Sequence, residues 1–193
     1  MPVDGRAARA IRTRTAIVDA LLDLLHEGDL QPTATRIADR AGISLRLIYH
    51  HFGDLESLFR SAADREAERL SEHVEPVDPH LPLDARIDAL VAQRSQLLEW
   101  ITPVRSASLL QEPFSEGLRA ARDALVGLGE QQVFDVFATE LAALAPKRRA
   151  LVSSALGSVL SWGLWNDLRT SGRSIDESTA AVRVTVAALL GAG

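Results

Sequence analysis

Apolar residues recur at intervals of three and four along this chain of 193 residues, and no run of five or more alternates cleanly between apolar and polar. A repeat near 3.6 residues is typical of amphipathic helices, whereas a half-buried strand alternates at every second residue. The pattern therefore predicts an all-α protein. A chain of this length can bury one large hydrophobic core or two small ones.

Glycine residues mark where the first predicted helices end. A helix is expected over residues 13–26, and Gly28 stops it. Two short helices joined by a turn at Gly42 come next, followed by a longer fourth helix. We expect residues 1–53 to form an N-terminal domain and residues 54–193 to form a larger helical C-terminal domain.

Prolines and a capping pattern divide the rest of the chain. A proline-rich connector over residues 76–82 precedes a long helical pattern, which Pro103 is expected to interrupt. One helix is predicted over residues 146–172. A Ser174 side chain three residues before Glu177 forms the pattern of a capping box, which begins the last helix.

Residues 33–52, TATRIADRAGISLRLIYHHF, are the most informative segment. Two short helices joined by a turn that contains glycine are typical of a helix-turn-helix, in which the second helix can face outward. At about 100° per residue, Ile48 and Phe52 lie within about 40° of each other and are predicted to face the core. Arg46 and His50 then lie on the opposite, outward side.

An outward helix of this kind suits double-stranded DNA, because the major groove is wide enough for a helix and its base edges carry a readable pattern. Arg46 is suited to a bidentate contact with guanine, which is worth about 1–3 kcal/mol of discrimination. Hydroxyl, phenol and imidazole groups nearby suit phosphate oxygens; they belong to Thr33, Ser44, Tyr49, His50 and His51. Taken alone, the same residues also fit a solvated helix face.

The charge distribution is uneven along the chain. Residues 1–52 carry a net charge of +1, and the remainder carries −6, against a total of −5. Four arginines lie before residue 15, namely Arg6, Arg9, Arg12 and Arg14. A basic leading arm indicates an anionic partner at the N-terminal end, although basic termini are often solvated tails.

The run from Ile37 to Phe52, with Ala41-Gly42-Ile43-Ser44 at the turn and Ile48-Tyr49 before His51-Phe52, resembles the signature of the tetracycline-repressor (TetR) family of bacterial transcriptional regulators. The resemblance covers about residues 10–60. It implies an N-terminal domain that binds operator DNA and a divergent helical C-terminal domain that dimerises and binds a small-molecule inducer.

Carried over by position, the resemblance implies a set of DNA-contacting residues on the two short helices. With Arg36 and Ser44 included, the predicted set is Thr33, Thr35, Arg36, Ser44, Leu45, Arg46, Leu47, Tyr49, His50 and His51. Two departures from the family matter. Leu55 stands where a phosphate-contacting lysine is usual, and apolar Leu45 and Leu47 favour contacts with thymine methyl groups.

Aromatic residues are concentrated in the C-terminal part, where they suit a pocket for a moderately sized apolar ligand. The predicted ligand-binding residues are Trp100, Phe114, Phe134, Phe137, Trp162 and Asn166. The alternative is that these aromatic residues only fill the core.

Small and apolar residues on the last two predicted helices favour a homodimer through a four-helix bundle. They are Ser154, Ala155, Gly157, Ser158 and Ser161 on one helix, and Ala181, Val184, Ala188 and Leu189 on the other. The alternative is that both faces pack within one chain.

The sequence therefore predicts a transcriptional regulator, a repressor that binds a palindromic operator as a homodimer and is released by an inducer. The main alternative is a small-molecule-binding helical protein with a non-functional DNA-binding motif, which Leu55 favours. An enzyme is not expected, because glycine-rich phosphate loops and nucleophile elbows are missing and there is no cysteine. Neither a metal nor a cofactor is predicted, and the absence of long apolar runs predicts a cytoplasmic protein without a membrane segment.

Overall fold

A computed structural model describes residues 5–191, which contain helices and no strands. The predicted all-α fold is confirmed. The helices are α1 (Gly5–His26), α2 (Ala34–Ala41), α3 (Leu45–Phe52), α4 (Leu55–Ser71), α5 (Leu83–Gln111), α6 (Glu116–Val136), α7 (Ala138–Ala142), α8 (Pro146–Val159), α9 (Trp162–Thr170) and α10 (Ile175–Leu190), with a short 3-10 turn at Glu112–Phe114.

The chain forms two compact units, and helices α5 and α6 contribute residues to both. The first unit contains residues 5–72 and 103–122, and the second contains residues 73–102 and 123–191. By packing, α4 belongs with α1, which it contacts along much of its length. The predicted functional division at residue 53 stays a prediction.

The core of the first unit joins one stripe of α1 to the inner faces of α2, α3 and α4. Its fully buried side chains include Ile17, Leu21, Leu22, Leu25, Ile37, Ile48, Leu58, Ala62 and Ala107. The period of three and four in α1 places Ile17, Leu21, Leu22 and Leu25 on one face, so this one helix packs into one core with all three shorter helices.

The turn between α2 and α3 is set by local residues. The Thr33 hydroxyl accepts a hydrogen bond from the Arg36 N–H at 3.3 Å and so caps the start of α2. Gly42 ends that helix in the left-handed conformation with φ of 66°, which a residue with a Cβ adopts only at a cost. The Ile43 N–H then bonds to the Ala38 carbonyl at 3.0 Å.

The second unit has its own apolar core with one buried ion pair at its edge. Ile87, Leu90 and Leu156 are fully buried within it. The Arg86 guanidinium bonds to the Glu140 carboxylate at 2.5 Å and to the Val136 carbonyl at 2.7 Å. The hydrogen bond from Arg86 lowers the pKa of the Glu140 carboxyl, so the carboxylate stays ionised beside its partner.

Three expected helix boundaries differ in the structure. Helix α1 begins at Gly5, so the arginines of the expected basic arm belong to its first turns. Pro103 lies inside α5 without ending it, because buried Leu98, Val104 and Ala107 hold the helix on both sides of the proline.

The helix expected over residues 146–172 is two helices. Ser161 caps the start of α9, where its hydroxyl accepts the Leu164 N–H at 3.5 Å, and this cap separates α9 from α8. Between residues 5 and 191, no helix combines the length and the apolar character that crossing a membrane requires.

Gly42 provides a test of the turn. The substitution Gly42→Ala is expected to lower the free energy of unfolding by about 1–2 kcal/mol, the usual cost of a left-handed residue with a Cβ. Nothing lies within 4 Å of the position that the new Cβ would take, so the cost is conformational and not steric. Urea denaturation followed by circular dichroism measures it.

Gly127→Ala is the matched control, because Gly127 lies within helix α6 and also has open space around it. This change is expected to raise stability by roughly 0.5–1 kcal/mol, since alanine restricts the unfolded chain more than glycine does. Equal effects of the two substitutions would contradict the role given to the Gly42 turn.

Candidate functional site

Helix α3 presents one apolar side to the first unit and one polar side outward, as its spacing predicts. Ile48 is fully buried, and Phe52 keeps only 7% of its surface exposed. Arg46 and His50 are exposed, and Tyr49 is 46% exposed. An aromatic and two basic-type side chains therefore share one open surface on a helix of eight residues.

The Arg46 guanidinium is available to a partner because no carboxylate of the described residues pairs with it. Among residues 5–191, no hydrogen bond or ion pair involves this guanidinium. The N–H groups in the first turn of a helix have no intrahelical partners, which favours an anion near Ser44 at the start of α3. The Ser44 hydroxyl makes no capping hydrogen bond of its own.

The two arginines of α2 are occupied by carboxylates of the loop that follows α1. The Arg36 guanidinium lies 2.8 Å from the Asp29 carboxylate. Arg40 bonds to both carboxylate oxygens of Glu27, and this contact lowers the pKa of the Glu27 carboxyl. The sequence does not reveal the Arg40–Glu27 pair, since the two residues lie 13 positions apart in the chain.

Five further members of the predicted DNA-contacting set lie around this surface. Thr33 and Thr35 are exposed near the start of α2, and Leu45 is 40% exposed at the start of α3. Leu47 and His51 are half-buried. The structure thus leaves all five at least partly accessible on or next to α2 and α3 of the first unit. Their contacts with DNA stay a prediction.

Arg14 has a structural position that the sequence does not reveal. Its Nη1 donates to the His51 carbonyl at 2.8 Å, and its Nη2 donates to the Ser61 hydroxyl at 2.9 Å. Its guanidinium also lies 4.1 Å from the centre of the Phe52 ring. Arg14 therefore fastens the C-terminal end of α3 to α1 and α4, and it does not act as part of a basic arm.

Two other basic residues of the expected arm, Arg9 and Arg12, are exposed on the first turns of α1. Leu55, which replaces the lysine usual in the resembling family, packs against the core of the first unit. It offers no phosphate contact. Within the described part of the chain, no three residues of metal-ligand type are grouped together.

The six predicted ligand-binding residues do not surround one cavity. Phe114 belongs to the first unit and is 85% exposed, whereas Phe137 lies fully buried in the core of the second unit. Trp100 is 51% exposed and stacks on His73, with 6.3 Å between ring centres. A ligand-binding role for these residues stays a prediction.

Two polar members of that predicted set are half-buried in the second unit. The Trp162 indole N–H donates to the Thr102 hydroxyl at 3.1 Å, and Asn166 lies one turn further along α9. The neighbouring Trp165, which was not in the set, is buried, and its N–H donates to the Glu99 carboxylate at 2.9 Å. The aromatic residues of α9 therefore serve the packing of this unit.

Phe134 is the member that does line a cavity. A groove of about 440 Å³ lies in the second unit between α6 and α8. Its walls are formed by Gly127, Glu130, Gln131, Val133, Phe134, Leu141, Ser153, Ser154 and Gly157. The sequence does not single out Glu130 or Gln131, because polar residues on a helix are ordinarily solvated.

Comparison with known sequences identifies the first unit. The family described as "Bacterial regulatory proteins, tetR family" matches residues 17–62, which contain α2, α3 and the turn between them. The chain is also 38% identical over 84 residues to the HTH-type transcriptional regulator AlkX of Mycobacterium tuberculosis. That match covers 43% of this chain and only 37% of the length of the relative.

Comparison with solved structures extends over nearly the whole chain. A tetR-family transcriptional regulator from Streptomyces coelicolor aligns with a TM-score of 0.71 at 22% identity, over 92% of this chain and 78% of that one. NalD of Pseudomonas aeruginosa, the secondary repressor of the MexAB-OprM multidrug efflux pump, aligns with a TM-score of 0.57 at 24% identity, over 94% and 96%. These likenesses establish a shared fold.

The sequence match over residues 17–62 lies on the helices that carry the exposed surface, and the fold extends the likeness to the second unit. Residues 17–62 therefore match the tetR family of bacterial regulatory proteins, and the whole chain shares its fold with solved regulators of that family.

Proposed function

We propose that the protein is a transcriptional regulator that binds operator DNA through α3. The observation that carries this proposal is the unpaired Arg46 on the open face of α3, beside exposed Tyr49 and His50. A guanidinium without an internal partner can bond to guanine at no cost of breaking an ion pair. The start of α3 supplies N–H groups for a phosphate.

We also propose that the protein acts as a homodimer. Leu151 on α8 and Val184 on α10 are 66% and 65% exposed, although both are large apolar residues. Small residues lie near them in the sequence of the same helices, with exposed Ser154 on α8 and exposed Ala188 on α10. Helices α8 and α10 are in contact, which supports a joint surface for a second copy.

A dimer would also provide the specificity that binding to one DNA sequence requires. One helix contacts few base pairs, whereas two copies read two half-sites of a palindrome and so gain specificity. We place this activity in the cytoplasm with the DNA, and we assign the protein a repressor role, for which the NalD likeness is the support. Catalytic activity is not part of the proposal.

The second unit is proposed to hold a small-molecule effector that changes DNA affinity. Such a ligand acts only if it binds the DNA-competent conformer and its alternative with different affinities. The groove beside Phe134 is one candidate position.

A second candidate function, ligand binding without DNA binding, is favoured by the burial of Leu55 and by the pairing of Arg36 and Arg40 with carboxylates. The two functions differ in a mobility-shift assay with the upstream region of the protein's own gene. A shift that weakens with salt supports regulation, and the absence of any shift supports the alternative.

Arg46→Ala tests base recognition. We expect binding to a selected genomic fragment to weaken by about 1–3 kcal/mol, since a bidentate arginine–guanine contact is lost. Binding to unrelated DNA of equal length is expected to weaken less. Fluorescence anisotropy titrations with both DNAs measure the difference, and Arg173→Ala, at an exposed arginine between α9 and α10, is the control. Equal losses on both DNAs would refute base recognition by Arg46.

Arg14→Met and Arg12→Met separate a positioning residue from a phosphate contact. Each phosphate contact adds about 0.9 to the slope of log affinity against log salt, so Arg12→Met is expected to lower that slope. Arg14 already bonds to the His51 carbonyl and the Ser61 hydroxyl. Arg14→Met is expected to weaken binding to the selected DNA fragment and to leave the slope of log affinity against log salt unchanged. A similar fall in slope for both variants would place Arg14 on a phosphate.

Val184→Glu tests the dimer. A carboxylate on the joint α8–α10 surface loses its water when two copies meet there, so its burial is unfavourable. We expect the mass measured by light scattering to fall from twice 20.9 kDa to 20.9 kDa. Val126→Glu, at a half-exposed valine of α6, is expected to remain dimeric. A dimeric Val184→Glu protein would remove this surface from the interface.

A further inference from the structure

Five arginines of the second unit lie partly or fully inside it, and two of them, Arg94 and Arg149, have no carboxylate partner among the described residues. Arg149 is satisfied by the carbonyls of Leu141, Ala142 and Leu144, whereas Arg94 keeps an unpaired donor. Arg86 is paired with Glu140, and the Arg169 guanidinium lies 3.1 Å from the Glu99 carboxylate. Arg94, on α5, has no carboxylate within ion-pair distance among the residues that the structure describes. A guanidinium inside a protein without a counter-charge is unfavourable, and such groups are rarely retained without a use.

The hydrogen bonds of Arg94 leave part of the guanidinium unused. Its Nη2 donates to the Gln132 side-chain oxygen at 2.6 Å and to the Gly129 carbonyl at 3.3 Å. Its Nε is buried and has no hydrogen-bond partner. Burial lowers the pKa of this arginine, which is the direction expected when nothing nearby stabilises the positive charge.

The surroundings hold the guanidinium in place. The Gln132 amide nitrogen donates to the Gln93 side-chain oxygen at 2.7 Å, which turns the Gln132 oxygen toward Arg94. A Cβ at Gly129 would lie 2.7 Å from the Arg94 Nη1, so the guanidinium packs directly over this glycine of α6. The Arg94 cluster thus contains one cation, two neutral acceptors on Gln132 and Gly129, and an Arg94 Nε donor without a partner.

The charge of the cluster favours a monoanion. No second arginine or lysine donates a hydrogen bond to Gln93, Gln132 or Gly129 in the described residues. One positive charge matches one carboxylate, whereas a phosphate dianion would remain half compensated.

We propose that Arg94 binds the carboxylate of an organic acid that acts as the effector of this protein. The proposal rests on the proposed regulatory function and specifies the ligand of its second unit. The carboxylate bonds to the guanidinium of half-buried Arg94 in charge-assisted hydrogen bonds. The Gln93–Gln132 pair keeps the guanidinium in position while it accepts the ligand.

The stability of the ligand-free protein provides the first test. Arg94→Met removes an uncompensated charge at a similar volume, so the melting temperature of the full chain is expected to equal or exceed that of the wild type. Arg86→Met is the matched control and is expected to lower it, because Glu140 is left without its partner. A fall for Arg94→Met as large as that for Arg86→Met would show a structural arginine and overturn the proposal.

Ligand binding provides the second test, made with the full chain in the absence of DNA. Octanoate and benzoate are compared with octanamide, benzamide and inorganic phosphate in thermal-shift and calorimetric titrations. We expect at least one of the carboxylates to bind the wild type at least about tenfold more tightly than its amide, the factor that corresponds to one charge-assisted contact. Arg94→Met is expected to abolish that preference, and Phe134→Ala, in the groove, to retain it.

The proposal is overturned if neither carboxylate binds the wild type, if the amides bind equally well, if phosphate binds in preference to both acids, or if Arg94→Met keeps the preference. Arg94→Met is expected to bind DNA as the wild type does without ligand. Because the DNA assay is separate, failure of the carboxylate test leaves the DNA result standing, and the reverse also holds.

Discussion

The outward position of α3 depends on how Arg14 closes its inner side. Ile48 and Phe52 bury the apolar side of α3, and the Arg14 guanidinium covers the Phe52 ring while it bonds to the His51 carbonyl. A cation at the C-terminal end of a helix also compensates the negative end of its dipole. One arginine of α1 thus satisfies an end carbonyl and fixes the helix, so Arg46 can stay free of internal contacts.

Charge pairing decides which part of this acidic chain can approach DNA. With a net charge of −5, most of the surface repels a polyanion, and the pairs formed by Arg36 and Arg40 remove two more cations from α2. Arg46 on α3 and Arg9 and Arg12 on α1 stay exposed on helices of the first unit. These three arginines supply positive charge on the unit for which DNA recognition is proposed.

The features that the sequence predicts correctly are local ones. The α2–turn–α3 unit follows from a cap at Thr33, a left-handed glycine at Gly42 and apolar spacing within eight residues, all of which act over one or two turns. Errors occur where distant residues decide. Neither the bond from Arg14 to His51 nor the continuity of α5 through Pro103 has a local signal, because each depends on packing between separate helices.

The positions of the aromatic residues and of Arg94 also have no local signal in the sequence, because packing between separate helices decides them. Concentration of aromatic residues suggested one pocket, but Phe137 fills a core and Phe114 belongs to the other unit, since composition carries no information on direction. Arg94 shows the reverse case, because an arginine in a helical pattern is ordinarily solvated and only the structure shows that its charge lacks a partner. Its contacts join α5 to α6, the two helices that also supply residues to the first unit. A ligand bound to Arg94, as proposed, meets both helices within the second unit, and a difference in such contacts between two conformers is what effector control requires.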